Sequence, residues 1–382
     1  MDWRITSALS ISRFLRSFVL MLLSVSSPYF LIHLHLNYVQ TGVVLFLSMS
    51  ASTAAIYFYP KVKINARKTV ILYSFVFTIV IIIVLIWQNL IAFLIAIIVG
   101  GISLSGKDMT PNHPIEQYAI GVSFSDQREK NRAFAFYNFM AYFGNMAGAL
   151  FLFFGSERDF HLIFEVSAII MSVSIIPYLF IKLQDPVKPG TRVPLDPETK
   201  KLTHVLAALF ATDSFGGGFV NASLLSLWFY AFYNTSLQVN GMIFFIVSLI
   251  TAISIIYSGS LSTRLGLVRT MVYTHLISNV FLILMPVFHS LIYSEVFLFL
   301  RQSTSQMDVS PRDSLINTII DPKSRIRTNS IFLASRNLAT VPTPAIGGIL
   351  IDLFPPSLLY AAGTIKATYD FVFYVKFRKY RI

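Results

Sequence analysis

Arg301 places a charge inside an otherwise apolar segment, residues 291–310. Polar side chains follow it at once, from Gln302 to Gln306. A guanidinium forms strong, charge-assisted hydrogen bonds with anionic groups. The pattern therefore indicates either a cavity in which Arg301 and Gln302 hold an anionic or polar ligand, or a buried structural ion pair.

Asp213 lies well inside another apolar segment, and we expect it to be the acidic partner of Arg301. A desolvated Asp can also bind and release a proton, so Asp213 is a candidate for proton coupling; the alternative is a structural partner of Arg301 or of Arg13 and Arg16. Asn221 follows Asp213 by about two helical turns, a spacing that places both residues close to the same helix face, so Asn221 is a candidate ligand contact. Arg13 and Arg16 either extend to the edge of their segment or line the same cavity, where they would favour an anion.

The other ionisable residues form no catalytic or metal-binding pattern. Lys366 and Asp370 are four residues apart and can neutralise each other on one helix face. The histidines lack ligand spacing, as at His113, His161, His275 and His289. The sequence contains no Cys, phosphate-binding loop, His-Glu-x-x-His or nucleophile elbow. It therefore predicts neither an enzyme nor an ATP-driven pump, and no metal or cofactor.

The composition is that of a membrane protein. Of 382 residues, 55% are apolar and 13% are charged, whereas a water-soluble domain carries roughly 25% charged residues. Segments such as residues 69–87 are long enough to cross a hydrocarbon core of ~30 Å as helices. A soluble globular protein is excluded. Because each span must satisfy its own backbone polar groups, the spans are predicted to be α-helices in a lipid bilayer.

Twelve spans are predicted, so the expected fold class is an all-α integral membrane protein. They comprise residues 9–34, 38–60, 69–87, 89–110, 133–154, 160–181, 203–231, 239–262, 270–289, 291–310, 328–351 and 356–377. The first lacks a cleavage site and is expected to be retained as a helix. In the fifth, Gly144 and Gly148 have the small-xxx-small spacing that permits close helix packing.

The net charge of +12 is explained by basic residues that lie in loops on one side of the membrane. Basic residues outside the spans lie in the even-numbered connections and at the termini, whereas the odd-numbered connections contain only Arg158. Cytoplasmic loops are enriched in Lys and Arg, so both termini are expected to face the cytoplasm, in the plasma membrane. A nucleic-acid partner, which a soluble basic chain would suggest, is not expected.

The chain divides into two halves of six spans. Residues 184–202 are rich in proline and charge and are expected to form a cytoplasmic linker between residues 1–183 and 203–382. An internal repeat relates the halves at an offset of about 200 residues. Ser105, Asp108 and Pro111 of the first half correspond to Ser305, Asp308 and Pro311 of the second. Because each half has an even number of spans, the repeats are parallel.

A loop signature accompanies this architecture. Residues 259–269 read Gly-Ser-Leu-Ser-Thr-Arg-Leu-Gly-Leu-Val-Arg, and the equivalent first-half loop ends in Arg67 and Lys68. With twelve spans in two parallel halves, the chain resembles the major facilitator superfamily over its whole length. Residues 301–312 are similar to helix 10 in a prokaryotic branch of that family. The resemblance implies a secondary transporter in which two halves rock around a central site that binds a small molecule.

The resemblance also implies a cytoplasmic gate, although Lys63 and Thr263 stand where the signature has an acidic residue. We expect Asp108 and Asp308, at the cytoplasmic ends of the fourth and tenth predicted spans, to pair with basic residues of neighbouring loops. Simple solvation of the helix ends is the alternative. The expected gate residues are Arg67, Lys68, Asp108, Gly259, Arg264, Gly266, Arg269, Asp308, Pro311 and Arg312.

Three functions agree with these residues. Transport of a small solute is the main interpretation, with an organic anion favoured by the arginines and protons as a possible coupling ion. Multidrug-type efflux of hydrophobic compounds is an alternative within the same class. A non-transporting membrane receptor is the alternative from another class.

Overall fold

The regular structure of the chain is helical in the computed structural model, which describes residues 2–59, 64–155, 159–185, 195–321 and 324–378. No strand occurs in these ranges, as the all-α fold class predicts. The helices before residue 185 are α1 (Asp2–His33), α2 (Tyr38–Phe58), α3 (Ala66–Trp87), α4 (Leu90–Val99), α5 (Asn112–Ser123), α6 (Gln127–Phe154), α7 (Phe160–Val173) and α8 (Ile176–Leu179). Those after it are α9 (Pro197–Gly218), α10 (Ala222–Tyr233), α11 (Leu237–Leu265), α12 (Leu267–Leu284), α13 (Leu291–Ser305), α14 (Val309–Ile319), α15 (Arg325–Thr340), α16 (Thr343–Leu353) and α17 (Pro356–Phe377).

Asn and Asp side chains fix where several helices begin. Asn37 Oδ1 accepts the Gln40 backbone N–H at 2.8 Å, and Gln40 Oε1 accepts the Asn37 N–H at 3.0 Å, forming a capping box at α2. Asp126 caps α6 and Asp196 caps α9 through similar side-chain bonds. These bonds satisfy backbone donors that a helix start leaves unpaired, so each helix begins where the sequence supplies a cap.

The chain is a multi-pass membrane protein. Among the described residues, six helices are long and apolar enough to cross a bilayer, and the bent pair α9 and α10 would add a seventh. The six comprise Trp3–His33, Tyr38–Phe58, Ala66–Trp87, Phe160–Leu179, Leu237–Ser254 and Leu267–Leu284.

Other predicted spans are interrupted. Residues 89–110 contain α4 and then an irregular segment that precedes α5. Gly101 and Gly106 in that segment have φ of 55° and 76°, in the left-handed region that favours glycine, so the helix stops there. Residues 291–310 are likewise divided between α13 and α14, and the eleventh predicted span between α15 and α16. The sequence-based prediction of continuous helices is wrong at these points.

The chain groups into two compact units. Unit 1 comprises Met1–Lys188 and Ala222–Ser248, and therefore includes α10 and the first part of α11. Unit 2 comprises Pro189–Asn221 and Leu249–Ile382. The division of the chain into halves at a linker stays a prediction, and residues 186–194 of that linker lie outside the described residues.

Two glycines allow α1 and α6 to pack closely within unit 1. A Cβ atom added to Gly144 would lie 2.3 Å from the carbonyl oxygen of Phe14, and one added to Gly148 would lie 2.3 Å from that of Phe18. Real Cβ atoms do not approach backbone oxygen so closely. The small-xxx-small spacing thus has the packing role that the sequence predicts.

We expect Gly148→Ala to lower thermal stability in detergent, because the new methyl group must push α6 away from the α1 backbone, at a cost of about 1–3 kcal/mol. Gly121→Ala is the matched control, since a Cβ there would contact only the distal ring atom of Phe134, at 3.9 Å. Alanine is favoured over glycine in helices by up to about 1 kcal/mol, so the control should be neutral or stabilising. Equal unfolding temperatures for the two variants would contradict the packing role of Gly148.

Candidate functional site

A buried group of charged side chains, the arginine cluster, lies within unit 1. Its members are Arg13, Arg16, Asp108 and Glu116. Arg16 donates from Nε to Asp108 Oδ2 at 2.5 Å and from Nη2 to Glu116 Oε2 at 2.6 Å. Arg13 Nη1 donates to the same Asp108 oxygen. Two cations meet two anions, so the cluster is neutral with both carboxylates ionised.

Three elements assemble the arginine cluster. The two arginines stand about one turn apart on α1, Asp108 lies in the break between α4 and α5, and Glu116 lies on α5. Glu116 also accepts hydrogen bonds from Tyr178 and, at 2.5 Å, from Tyr137. The sequence analysis missed Glu116 because it took residues 111–132 for a connection. The helical spacing of apolar residues around Glu116 was the signal that could have identified α5.

The partners in the arginine cluster differ from those expected. The predicted pairing of Asp108 with loop cations is wrong, because Asp108 pairs with Arg13 and Arg16 of α1. Both arginines are buried in the protein, so neither side chain extends to the edge of its helix, which was one of the two predicted positions. Arg67 instead donates to the carbonyl oxygens of Tyr178 and Leu179 at the end of α8, as basic residues do at helix C-termini.

A second buried group, the histidine cluster, lies within unit 2. It consists of Asp213 on α9, His275 and Asn279 on α12, and Lys366 and Asp370 on α17. Lys366 Nζ donates to Asp213 Oδ1 at 2.6 Å. His275 places Nδ1 at 2.8 Å from Asp370 Oδ1 and Nε2 at 3.5 Å from Asp213 Oδ1. Asn279 Nδ2 donates to Asp370 Oδ2 at 2.7 Å.

The histidine cluster corrects two predicted pairings. Asp213 pairs with Lys366 and not with Arg301, and Lys366 does not pair with Asp370. Both changes arise because contacts between helices replace the contact within α17 that the four-residue spacing suggests. Sequence analysis missed His275 and Asn279. The pattern that could have identified them is their spacing: they are two polar residues four apart in an apolar helix, as Lys366 and Asp370 are.

Arg301 lies buried in α13 and forms no ion pair with a carboxylate among the described residues. Its Nη1 donates to Gln302 Oε1 at 2.8 Å, and Gln302 Nε2 donates to Thr251 Oγ1 at 2.5 Å. Its Nε is buried and has no hydrogen-bond partner among the described residues. Arg336 on α15 also lacks an ion pair in the described ranges and donates from Nε to Ser214 Oγ at 3.1 Å. Unit 2 therefore contains cationic groups that its described carboxylates do not neutralise.

The remaining predicted site residues have local roles in the structure. Asn221 Nδ2 donates to the Gly218 carbonyl oxygen at 2.9 Å, at the bend between α9 and α10. Asp308 and Arg312 pair at 3.0 Å across the break before α14, one residue from Pro311. Gly266, with φ of 82°, separates α11 from α12. Lys68 and Arg269 are exposed, and the side chains of Gly259 and Arg264 lie outside the described part of the chain.

Two cavities of about 300 and 330 Å³ lie within unit 1. The first is lined by α2, α3 and the break after α4, and the second by Tyr29, Tyr230 and Thr235 among others. At the second, Tyr29 donates to the Thr235 carbonyl oxygen at 2.8 Å and accepts from Asn240 Nδ2 at 2.7 Å. Neither cavity is lined by a residue of the predicted substrate site.

Comparison with known sequences gives a family match over most of the chain. The model described as Major Facilitator Superfamily matches residues 9–300. An uncharacterized membrane protein of Saccharomyces cerevisiae is 28% identical over 180 residues, which are 47% of this chain and 40% of that protein. The match thus spans less than half the length of this curated relative.

Solved transporter structures share the fold at low identity. A bacterial homolog of the human lysosomal transporter Spinster, inward-facing and unoccupied, has a TM-score of 0.72 at 16% identity, covering 99% of this chain and 98% of that one. The nucleoside transporter NupG has a TM-score of 0.75 at 11% identity, covering 98% and 99%. The POT family transporter PepTSo has a TM-score of 0.77 at 10% identity, covering 100% of this chain and 98% of that one.

We expect Arg16→Met to destabilise the protein by about 3–5 kcal/mol, because Asp108 keeps Arg13 but Glu116 loses its only ion-pair partner among the described residues, in a buried part of the cluster. Arg132→Met is the matched control, since Arg132 pairs with Glu129 at 2.9 Å on an exposed surface where ion pairs contribute about 0–1 kcal/mol. Unfolding of the purified variants in detergent measures the difference. A loss in the control as large as that in Arg16→Met would argue against the structural importance of the arginine cluster.

Proposed function

Because the chain belongs to the Major Facilitator Superfamily, we propose that it is a secondary active transporter that moves a small organic anion across the membrane by alternating access. Membership of this family indicates a transporter and not an enzyme, as the sequence analysis predicts, and the fold agrees with this assignment. Assignment to a prokaryotic branch of the family stays a prediction.

The observation that carries the anion proposal is the buried guanidinium of Arg301. A charge at this depth needs a partner, because insertion of an unpaired Arg into a helix centre costs about 2.5–3.5 kcal/mol or more. Arg301 has an amide oxygen and no carboxylate as its partner among the described residues. An anionic group on a substrate would supply the missing charge and accept hydrogen bonds from the guanidinium. Gln302 and Thr251 would supply adjacent polar contacts.

The arginine cluster supports the choice of Arg301 over Arg13 and Arg16 as the main substrate contact. Those two arginines already have two carboxylates as partners, so binding an anion there would require the ion pairs to break. Their place in the substrate cavity, like that of Asn221, stays a prediction. A purely hydrophobic substrate would leave Arg301 without a counter-charge, so the same observation favours an anion over efflux of hydrophobic compounds.

Three further parts of the proposal rest on the sequence. We propose that the protein lies in the plasma membrane with both termini in the cytoplasm, since the basic residues outside the spans favour that side. We propose a cytoplasmic gate that includes the basic loop residues and the Asp308–Arg312 pair. We also propose that substrate movement is coupled to protons through a group that includes Asp213.

We expect Arg301→Gln to abolish binding of small organic anions. A ligand at a hundred times its dissociation constant stabilises the folded protein by about 2.7 kcal/mol if it binds only that state. The measurement is a thermal-shift screen of the purified protein with carboxylates, phosphorylated compounds, sugars, amino acids and lipophilic cations. Arg301→Lys keeps the charge but loses the planar donor fork, so it should bind the same anions more weakly.

Arg132→Gln is the control for the loss of one arginine, because Arg132 is exposed and lies on α6 of unit 1. It should respond to ligands as the wild type does. An anion that stabilises the wild type and Arg301→Gln equally would remove Arg301 from the binding site. Stabilisation by lipophilic cations alone would favour the efflux function instead.

We expect Asp213→Asn to uncouple substrate flux from the pH gradient in proteoliposomes, because the variant has no carboxylate at that position to take part in proton exchange. Lys366 would keep a neutral acceptor, since the Asn side chain presents an amide oxygen. Flux is measured with and without an imposed pH gradient. A gradient dependence equal to that of the wild type would exclude Asp213 from coupling.

A further inference from the structure

His275 lies between two carboxylates inside unit 2. One ring nitrogen is 2.8 Å from Asp370 Oδ1, and the other is 3.5 Å from Asp213 Oδ1. The imidazole is buried, as are both carboxylates. The ring of Tyr369 stands edge-on to His275, with centroids 6.0 Å apart.

This geometry favours one more proton than the ordinary charge states provide, because both ring nitrogens of His275 face carboxylate oxygens. A neutral imidazole carries one N–H and one lone pair, so it can donate to only one of two ionised carboxylates and turns its lone pair toward the other. An imidazolium donates to Asp370 and turns its second N–H toward Asp213, at the longer distance of 3.5 Å. A protonated carboxyl that donates to the lone pair satisfies the same contact. In either form, the arrangement holds a single additional proton.

The charges within the cluster lead to the same count. Asp213 and Asp370 carry two negative charges when ionised, and Lys366 supplies one positive charge. One bound proton brings the sum to zero, which lowers the cost of burial. The arginine cluster of unit 1 differs, because its two arginines balance Asp108 and Glu116 and keep their protons.

The other charged groups around the histidine cluster act from a greater distance. Arg301, Arg312 and Arg336, on α13, α14 and α15, interact electrostatically with Asp213. Arg312 also pairs with Asp308. In the described ranges none of these arginines forms an ion pair with Asp370, whose hydrogen-bond partners are His275 and Asn279. His275 is therefore the nearest described group that could bring a positive charge to Asp370.

We propose that His275 and Asp370 form a proton-binding site, and that this site releases its proton during the transport cycle. Asp213, paired with Lys366, lies next to the site and belongs to the same group. Binding of the proton stands on the geometry of unit 2 alone, whereas its release during transport rests on the proposed function. The two parts can be tested separately.

The binding part is tested on the purified full chain without a substrate, using ¹⁵N-histidine NMR and the infrared band of protonated carboxyl groups. A histidine in water is mostly neutral at about pH 8, because its pKa is about 6.5. We expect either an imidazolium signal that is lost in His275→Gln or a carboxyl band that is lost in Asp370→Asn. A neutral His275 with no such carboxyl band at this pH would overturn the proposal.

Two variants sharpen this test. Asp370→Asn removes one negative charge, so Lys366 and Asp213 balance each other and His275 should become neutral. His113→Gln is the matched control, because His113 is a histidine of unit 1 whose ring faces the hydroxyl of Tyr137 at 3.1 Å. It should leave the signal of the bound proton unchanged. Loss of that signal in His113→Gln, with its retention in His275→Gln, would overturn the assignment to His275.

The release part is tested in proteoliposomes containing a pH-sensitive dye, with an organic anion identified by thermal shift. We expect His275→Gln to lose anion-driven proton movement while still binding the anion through Arg301. Unchanged proton movement would overturn release from this site and leave Asp213 as the carrier. If no anion binds the wild type, the proposed substrate class fails, but the spectroscopic result on the bound proton still decides whether the site exists.

Discussion

The cost of leaving a charge unpaired within helices that cross a bilayer governs the arrangement of this protein. Water is absent from the hydrocarbon core, so each ionised group there needs a partner from the protein or from a ligand. Unit 1 meets this requirement with two arginines and two carboxylates. The breaks in its helices serve the same end, because the irregular segment after α4 places Asp108 against Arg13 and Arg16.

Unit 2 meets the same requirement differently. In its histidine cluster, Lys366 balances one of two carboxylates, and the proton that we propose would balance the other. The substrate anion that we propose would balance the buried Arg301. His275 on α12 and Arg301 on α13 lie in the same unit, on neighbouring helices. A cycle in which anion and proton are bound and released together would keep the sum of charges in unit 2 constant. Unit 1, already balanced, would serve as the electrostatically constant unit.

The sequence predicted the membrane class, the family and the close packing at Gly144 and Gly148, because these depend on composition, periodicity and side-chain size. Arg301 was identified as a buried charge for the same reason. The partners of charged residues were predicted poorly. Spacing along one helix suggested a pair between Lys366 and Asp370, whereas contacts between helices decide the pairs in the structure. Glu116 and His275 were missed because their importance depends on neighbours distant in the sequence.

The arginine cluster has a consequence for the order in which the chain is made. Arg13 and Arg16 belong to the first helix, but Glu116 lies 100 residues after Arg16. At a synthesis rate of about 5–20 residues per second, the arginines precede that carboxylate by roughly 5–20 seconds. During this interval, α1 must keep two guanidiniums in water, at lipid headgroups or within the insertion machinery. The position of α1 in the folded protein therefore becomes electrostatically stable only after α5 has been synthesised.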